Sequence, residues 1–208
     1  MMKRIVVGTI VAVIVSVGIA HAQETGQPSF SAPYRTFSNH EVGGNLTFRD
    51  GGGGLDGTAI EGRYRFGRGK WDIGFRGGIF DPSSAVLDAT VVIGASARQR
   101  VLTHDEKFPL DGAVILGFGL ESGNGGTVLY IPAGLSLGRQ VTFENSQVVL
   151  VPYVQPTLFI TAGDVPSTEL NFTLGLGADL KLSPRLALNL SFGVFDIEGV
   201  SLGATFTR

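Results

Sequence analysis

Cysteine is absent from this sequence of 208 residues, and charged residues make up only 16% of it. Without disulfides, the fold must draw its stability from hydrogen bonding and burial alone. The formal net charge of −2 provides no general attraction to nucleic acid. DNA binding and RNA binding are therefore set aside as functions.

Apolar residues and glycine are plentiful instead. Hydrophobic residues account for 43% of the chain, and 31 glycines stand against 9 prolines. Such a chain is too apolar to be disordered and is long enough for one domain with a core. The glycines favour turns and close contacts between strands.

The N-terminus has the pattern of a signal peptide. A basic start and an apolar run over residues 5–19 precede Ala20-His21-Ala22, which is a small-x-small cleavage site. A retained membrane anchor is the weaker alternative, because the run is shorter than the roughly 20 residues that span a bilayer. We predict a signal helix over residues 1–22, a mature start near Gln23 and a flexible lead-in over residues 23–35, which shows no periodicity.

Apolar residues alternate with small or polar residues along most of the remaining chain. The alternation is clearest over residues 170–195, where a Ser-Pro-Arg corner separates two runs. About ten such runs of roughly 9 to 12 residues follow one another, and their connections are too short for helical crossovers. An antiparallel meander of this kind closes on itself or leaves two edges unpaired. The pattern predicts an all-β, closed antiparallel up-and-down barrel of about 8–10 strands over residues 36–208.

Three features indicate that the apolar side of the strands faces lipid. The polar side is often small rather than charged, unlike a surface in bulk water. The strands have the roughly 9 to 11 residues that cross a hydrocarbon core when tilted. Tyr64, Phe66 and Trp71 flank a short turn, where an aromatic girdle would lie at a membrane interface. The alternative is a secreted soluble barrel that binds an apolar ligand.

The chain resembles the small outer-membrane β-barrel proteins of the OmpA/OmpX/OmpW type in Gram-negative bacteria, over roughly residues 36–208. The resemblance is most specific at the end of the chain. Ser201, Gly203 and Phe206 are similar to the C-terminal signal that the outer-membrane assembly machinery recognises, although Arg208 stands where the family has an aromatic residue. The resemblance implies a protein of the cell outer membrane. If both chain ends lie on the periplasmic side, the strand count is even and the external loops are short.

Charged side chains on the inward-facing side are the candidate site. We predict a lumen charge network in which Arg63 and Arg76 pair with carboxylates such as Glu61 and Asp72. An anion constriction made by arginines is the alternative, but a water-filled channel usually needs about 16 strands, so a salt-bridged plug is favoured. The predicted network comprises Glu61, Arg63, Arg65, Asp72, Arg76, Asp111, Glu121, Glu169, Asp179 and Lys181.

Catalysis has little support in the sequence, because the mature chain offers only His40 and His104. We therefore expect no enzymatic activity, no metal and no cofactor. The expected partners are outer-membrane lipid and, during biogenesis, the assembly machinery, with a small solute as a further possibility. The predicted function is that of a structural envelope protein or a narrow, porin-like passage.

Overall fold

The computed structural model describes residues 25–36, 38–50, 56–84, 86–144, 146–165 and 167–207. The predicted signal helix over residues 1–22 and the predicted mature start at Gln23 lie outside these ranges. The described residues form the strands β1 (Glu41–Asp50), β2 (Gly57–Arg68), β3 (Trp71–Pro82), β4 (Thr90–Leu102), β5 (Asp111–Gly123), β6 (Gly126–Gly138), β7 (Val141–Thr142), β8 (Val149–Gly163), β9 (Glu169–Lys181), β10 (Leu186–Phe195) and β11 (Glu198–Thr207).

The strands form one closed antiparallel barrel. Each long strand pairs with its neighbours in the chain, β6 pairs with β8, and β1 pairs with β11. The short β7 pairs only with the end of β8, so ten strands make up the wall. The predicted fold is confirmed, and the count falls at the upper end of the expected range.

Because successive strands run in opposite directions, their connections lie alternately at two rims of the barrel. The terminal rim carries the start of β1, the end of β11 and the connections β2–β3, β4–β5, β6–β8 and β9–β10. The far rim carries the other five connections. At the terminal rim, Gly69 has a φ of 63° in the two-residue β2–β3 turn. Glycine adopts this conformation more easily than residues that carry a Cβ.

The alternation along each strand separates an apolar outer face from a polar inner face. In β9, Thr173 is fully buried whereas Leu176 is 42% exposed, and in β2, Ile60 is 67% exposed while Glu61 is buried. This is the arrangement of a transmembrane β-barrel, with apolar side chains outward and polar ones inward. A soluble carrier of an apolar ligand needs the reverse arrangement, so the structure disfavours that alternative.

Aromatic side chains cluster on the outer face near both rims. Near the terminal rim, the ring centroids of Tyr64 and Phe66 are 5.7 Å apart and those of Phe66 and Phe75 are 6.3 Å apart. Near the far rim, Phe172 and Phe195 are 5.5 Å apart. Two such bands match the aromatic girdles that border the hydrocarbon zone of membrane barrels.

No helix that is both long and apolar enough to cross a membrane occurs in the part of the chain that the structure describes.

Candidate functional site: the barrel lumen

The segment that precedes β1 lies inside the barrel. Residues 25–36, hereafter the lumen segment, have no regular secondary structure, yet Thr25 and Ala32 are fully buried and Phe30 is 3% exposed. The lead-in and barrel boundaries predicted from the sequence remain predictions. The structure adds the position of residues 25–36, which fill the lumen.

Hydrogen bonds tie the lumen segment to several strands of the wall. Thr25 Oγ1 donates to Glu61 Oε1 at 2.7 Å. The backbone N–H of Phe30 donates to Ser191 Oγ at 3.2 Å. Ser136 Oγ donates to the carbonyl of Ser31 at 2.7 Å. The partners belong to β2, β10 and β6, so the segment is bonded to the wall around its circumference.

The lumen segment runs along the barrel axis. Gly26 lies against the ring of Tyr130 close to the far rim. Thr36 Oγ1 donates to Asp179 Oδ2 at 3.4 Å near the terminal rim, and the chain then enters β1. The segment therefore blocks the lumen over most of its length.

Wall glycines make room for the bulky side chains of the segment. A Cβ added to Gly175 would collide with the ring of Phe30, and one added to Gly193 would lie 3.0 Å from Pro28 Cβ. Gly175 and Gly193 are paired across β9 and β10. The two glycines form a seat for Phe30 and Pro28, because a side chain at either position would occupy the same space.

A carboxylate shared by two arginines forms the centre of the charge network. Asp72 Oδ1 accepts from Arg65 Nη1, and Asp72 Oδ2 accepts from Arg98 Nε at 2.9 Å. Arg98 Nη1 also donates to the carbonyl of Ala32 in the lumen segment. The network therefore joins β2, β3 and β4 to the segment that fills the barrel.

One arginine outside the predicted network bonds to Asp72. We expected carboxylates such as Glu61 and Asp72 to pair with Arg63 and Arg76. In the structure Asp72 is bonded to Arg65 and to Arg98, and Arg98 was not predicted. Arg63 Nη2 donates to Thr205 Oγ1. The register places Arg63 directly opposite Arg76 and Arg65 opposite Gly74.

The other predicted network residues lie at different depths. Arg63, Arg65, Arg76 and Asp179 line one small cavity towards the terminal rim. Glu121 lies towards the far rim, where Oε2 accepts from Arg49 at 3.0 Å, and Glu169 is exposed at that rim. Asp111 and Lys181 begin β5 and end β9 at the terminal rim.

Sequence reasoning missed four lumen charges: Glu41, Arg49, Arg98 and Arg100. Arg98 has the same parity in β4 as Ser96, and both are buried. Extending the alternation by one more step along β4 would have found it. Glu41 and Arg49 lie on the inward parity of β1, whose alternation is the weakest in the chain.

A small cavity lies inside the barrel between its middle and the terminal rim. Its volume is about 30 Å³, enough for one or two water molecules. Larger cavities of about 470 Å³ and 400 Å³ open at the terminal and far rims respectively. The described residues therefore form a barrel with two mouths and a filled middle.

The two histidines within the described residues lie at the terminal rim. His104 Nδ1 lies 3.0 Å from Asp111 Oδ2, and His40 Nδ1 lies 2.6 Å from the hydroxyl of Tyr64. In the β4–β5 connection, Asp105 accepts the backbone N–H groups of Phe108 and Lys107 at 2.8 Å each. These bonds lower the pKa of Asp105.

The three residues of the predicted assembly signal lie in β11. Ser201 faces the lumen and accepts from Thr47 Oγ1 at 2.9 Å. Phe206 points outward near the terminal rim and is 53% exposed, while Gly203 packs between Asn45 and Asn189. Recognition of these residues by the assembly machinery stays a prediction.

Comparisons with known proteins find similar barrels but no family. No family model and no curated protein match the chain. Among solved structures, it is similar to one described as "De novo design of transmembrane beta-barrels", with a TM-score of 0.43, 16% identity and coverage of 84% of this chain and 98% of that chain. It is also similar to LpxR from Salmonella typhimurium, with a TM-score of 0.46, 8% identity and coverage of 84% and 86% respectively. These likenesses concern barrel architecture and do not single out the OmpA/OmpX/OmpW type.

The expectation that the chain is not an enzyme is wrong. LpxR, one of the similar solved structures, is an outer-membrane lipid A deacylase. Our expectation rested on the scarcity of histidine. It discounted His104, which the fold places beside the carboxylate of Asp111. A count of residue types does not reveal such pairings.

Proposed function

We propose that this chain is an outer-membrane β-barrel protein that is closed by its own N-terminal segment and serves as a structural component of the envelope. The single observation that carries the proposal is the burial of residues 25–36 in the lumen. The signal-like N-terminus supports export. The apolar outer face between two aromatic bands supports a membrane location.

The same proposal places the terminal rim on the periplasmic side. An even number of strands brings both ends of the barrel to one rim. The C-terminal residues Ser201, Gly203 and Phe206 resemble an assembly signal. Kinship with the OmpA/OmpX/OmpW type belongs to this proposal and rests on the sequence pattern.

A narrow passage for small solutes is the second candidate function. One observation favours it: the lumen is filled by a separate segment of chain, and not by wall side chains alone. Departure of that segment would join the two mouths. In this state the charged residues of the wall would be hydrated.

Conductance measurements test closure and passage together. The mature chain and a variant lacking residues 23–36 are reconstituted into planar lipid bilayers. We expect no stable current from the mature chain and a small, stable current from the truncated one. A large stable current from the mature chain would contradict closure. If the truncated chain is correctly folded and passes no current, the solute-passage function is excluded and the structural role remains.

An engineered disulfide provides a control for these recordings. Asn45 Nδ2 donates to Ser29 Oγ at 2.5 Å, and the chain has no cysteine of its own. The paired substitutions Ser29→Cys and Asn45→Cys should fix the lumen segment to β1 when oxidised. Any current that the reduced protein passes at high voltage should then disappear on oxidation.

Fractionation of cells tests the location. We expect the mature chain to be recovered with the outer membrane and to resist SDS until it is boiled. Recovery of the chain as a soluble periplasmic protein would contradict the proposal and would restore the secreted carrier.

A further inference from the structure

A basic cavity opens at the terminal rim. This cavity, hereafter the rim cavity, has a volume of about 470 Å³. Its lining includes Tyr34, Arg35, Arg68, Lys70 and Arg100. The β2–β3 hairpin supplies Arg68 and Lys70, β4 supplies Arg100, and the lumen segment supplies Tyr34 and Arg35. Three separate parts of the chain thus bring cationic groups to one concave surface.

Positive charge in the rim cavity exceeds negative charge. Four cationic side chains line the cavity and Asp72 is the one carboxylate among its lining residues. That carboxylate is already bonded to Arg65 and Arg98 deeper in the lumen. Two further carboxylates outside the lining, Asp111 and Asp179, interact electrostatically with Tyr34. Within the lining itself, four cations face one carboxylate, so an anion there would reduce their mutual repulsion.

Two donors in the rim cavity are buried without a protein acceptor. These are Nε of Arg100 and the hydroxyl of Tyr34. The guanidinium of Arg100 lies over the ring of Tyr34, with Cζ 5.3 Å from the ring centroid, so the two groups are held together. A buried donor without an acceptor is costly, and a ligand that supplies oxygen atoms removes the cost.

The backbone fixes the position of these groups. The pairing of β4 with β5 shifts between Arg100 and Leu102, a bulge that alters the direction of the neighbouring side chains. The N–H of Arg100 donates to the carbonyl of Lys70 at 2.9 Å. Arg35 Nη1 donates to the carbonyl of Ser38 at 3.1 Å, which holds this arginine at the mouth. The rim cavity is therefore largely organised before any ligand arrives.

We propose that the rim cavity binds a phosphate group. A phosphate carries more charge than one carboxylate, and its oxygens match the planar donor fork of arginine. The phosphate could belong to a lipid headgroup or to a soluble periplasmic molecule. The lipid source has structural support, because Trp71 follows Lys70 directly and is 54% exposed on the outer face, at the level where headgroups lie.

The test compares a cavity variant with a matched rim variant. The cavity variant carries Lys70→Gln and Arg100→Gln. The control carries Lys107→Gln and Arg185→Gln, which remove two exposed cations from connections of the same rim. Both are produced as the full mature chain, and heat-modifiable migration in SDS gels establishes that each has folded.

Two arms of the experiment separate the two sources. In zwitterionic detergent, calorimetric titration with inorganic pyrophosphate measures binding of a soluble phosphate. In vesicles of phosphatidylcholine and phosphatidylglycerol, the amount of phosphatidylglycerol that stays with the protein after transfer to zwitterionic detergent measures binding of a lipid headgroup. A charge-assisted hydrogen bond corresponds to about tenfold or more in affinity, so the cavity variant should lose at least that factor in the arm that reports the true source.

Each outcome decides the proposal. A loss in the cavity variant that the control does not share supports the site, and the arm in which it occurs identifies the soluble or the lipid source. Equal binding by the wild type, the cavity variant and the control in both arms overturns the proposal. Equal losses in the cavity variant and the control also overturn it, because they indicate general attraction to a basic rim.

Discussion

At the scale of single residues, Asp72 shows how a lumen charge is stabilised. Its two carboxylate oxygens accept from arginines on two different strands, and one of these, Arg98, continues to the carbonyl of Ala32. A buried carboxylate is costly unless it is paired and hydrogen-bonded, and here both conditions are met. Asp72 therefore couples the wall to the lumen segment.

Substitution of Asp72 by Asn tests this coupling. It removes the only carboxylate that is bonded to both Arg65 and Arg98 among the described residues. We expect a loss of about 3 to 5 kcal/mol in the free energy of unfolding if the site stays dry, and less if water enters. Urea unfolding in lipid vesicles measures the change. Glu169→Gln, at an exposed carboxylate of the far rim, is the control. Equal stability of the two variants would contradict the role of Asp72.

The residue scale also shows what alternation can and cannot predict. Alternation correctly identifies which side of a strand faces inward, because successive side chains point to opposite faces. It does not identify partners across strands, because these depend on register. The bonds of Asp72 to Arg65 and Arg98 were not predicted for this reason. Arg98 was missed although its parity was available.

At the scale of elements, the strands were predictable and the lumen segment was not. Strands β9 and β10 each have an apolar face towards lipid and a polar face towards the lumen. This difference between the two faces produces an alternation that is visible in the sequence. The lumen segment has no periodicity. Its burial depends on space left by wall glycines such as Gly175, which becomes apparent only when the barrel is closed.

A substitution in that space tests the seat of the lumen segment. Gly175→Leu would occupy the position of the Phe30 ring, so we expect the segment to leave the lumen while the wall stays closed. Limited proteolysis near residue 30 should become at least about tenfold faster, because cleavage follows the population of the opened state. The control is Gly62→Leu, whose side chain would point to the outer face. It should leave the rate of proteolysis unchanged. Equal protection in both variants would contradict the seat.

The two faces of β9 can be compared directly. Leu176 is 42% exposed on the outer face, in the middle of the strand. Leu176→Arg should cost about 2 to 4 kcal/mol, because a charge near the bilayer midplane must leave water or deform the lipid. Leu176→Phe should be tolerated, because lipid accepts a larger ring. Urea unfolding in vesicles measures both, and similar losses in the two variants would indicate a packed environment instead of lipid.

At the scale of the whole molecule, closure and charge distribution have different origins. Closure follows from the pairing of β1 with β11, which runs from Glu41↔Thr207 to Asp50↔Glu198. This pairing was predictable, because a ten-stranded meander otherwise exposes two edges. The charge distribution was not predictable from strand patterns alone.

The two mouths of the barrel have opposite character. Carboxylates predominate in the lining of the far mouth, with Arg49 as its one cation, whereas cations predominate in the rim cavity. An opened lumen would therefore present both signs of charge to a passing ion. This argues against the uniform arginine constriction that the sequence left open, and it favours a role for the basic mouth in binding.

The barrel wall should form without the lumen segment. Removal of residues 23–36 leaves every strand pair of the wall intact, because the segment contributes no strand to it. We therefore expect the truncated chain to fold in detergent or lipid and to resist SDS until boiled. Its midpoint in urea should fall, because Glu61 and Arg98 lose their bonds to Thr25 and Ala32 and water hydrates the lumen. Circular dichroism and SDS gels of unboiled samples measure the two effects. If the truncated chain never forms an SDS-resistant species, the lumen segment is required for closure and the wall is not an independent folding unit.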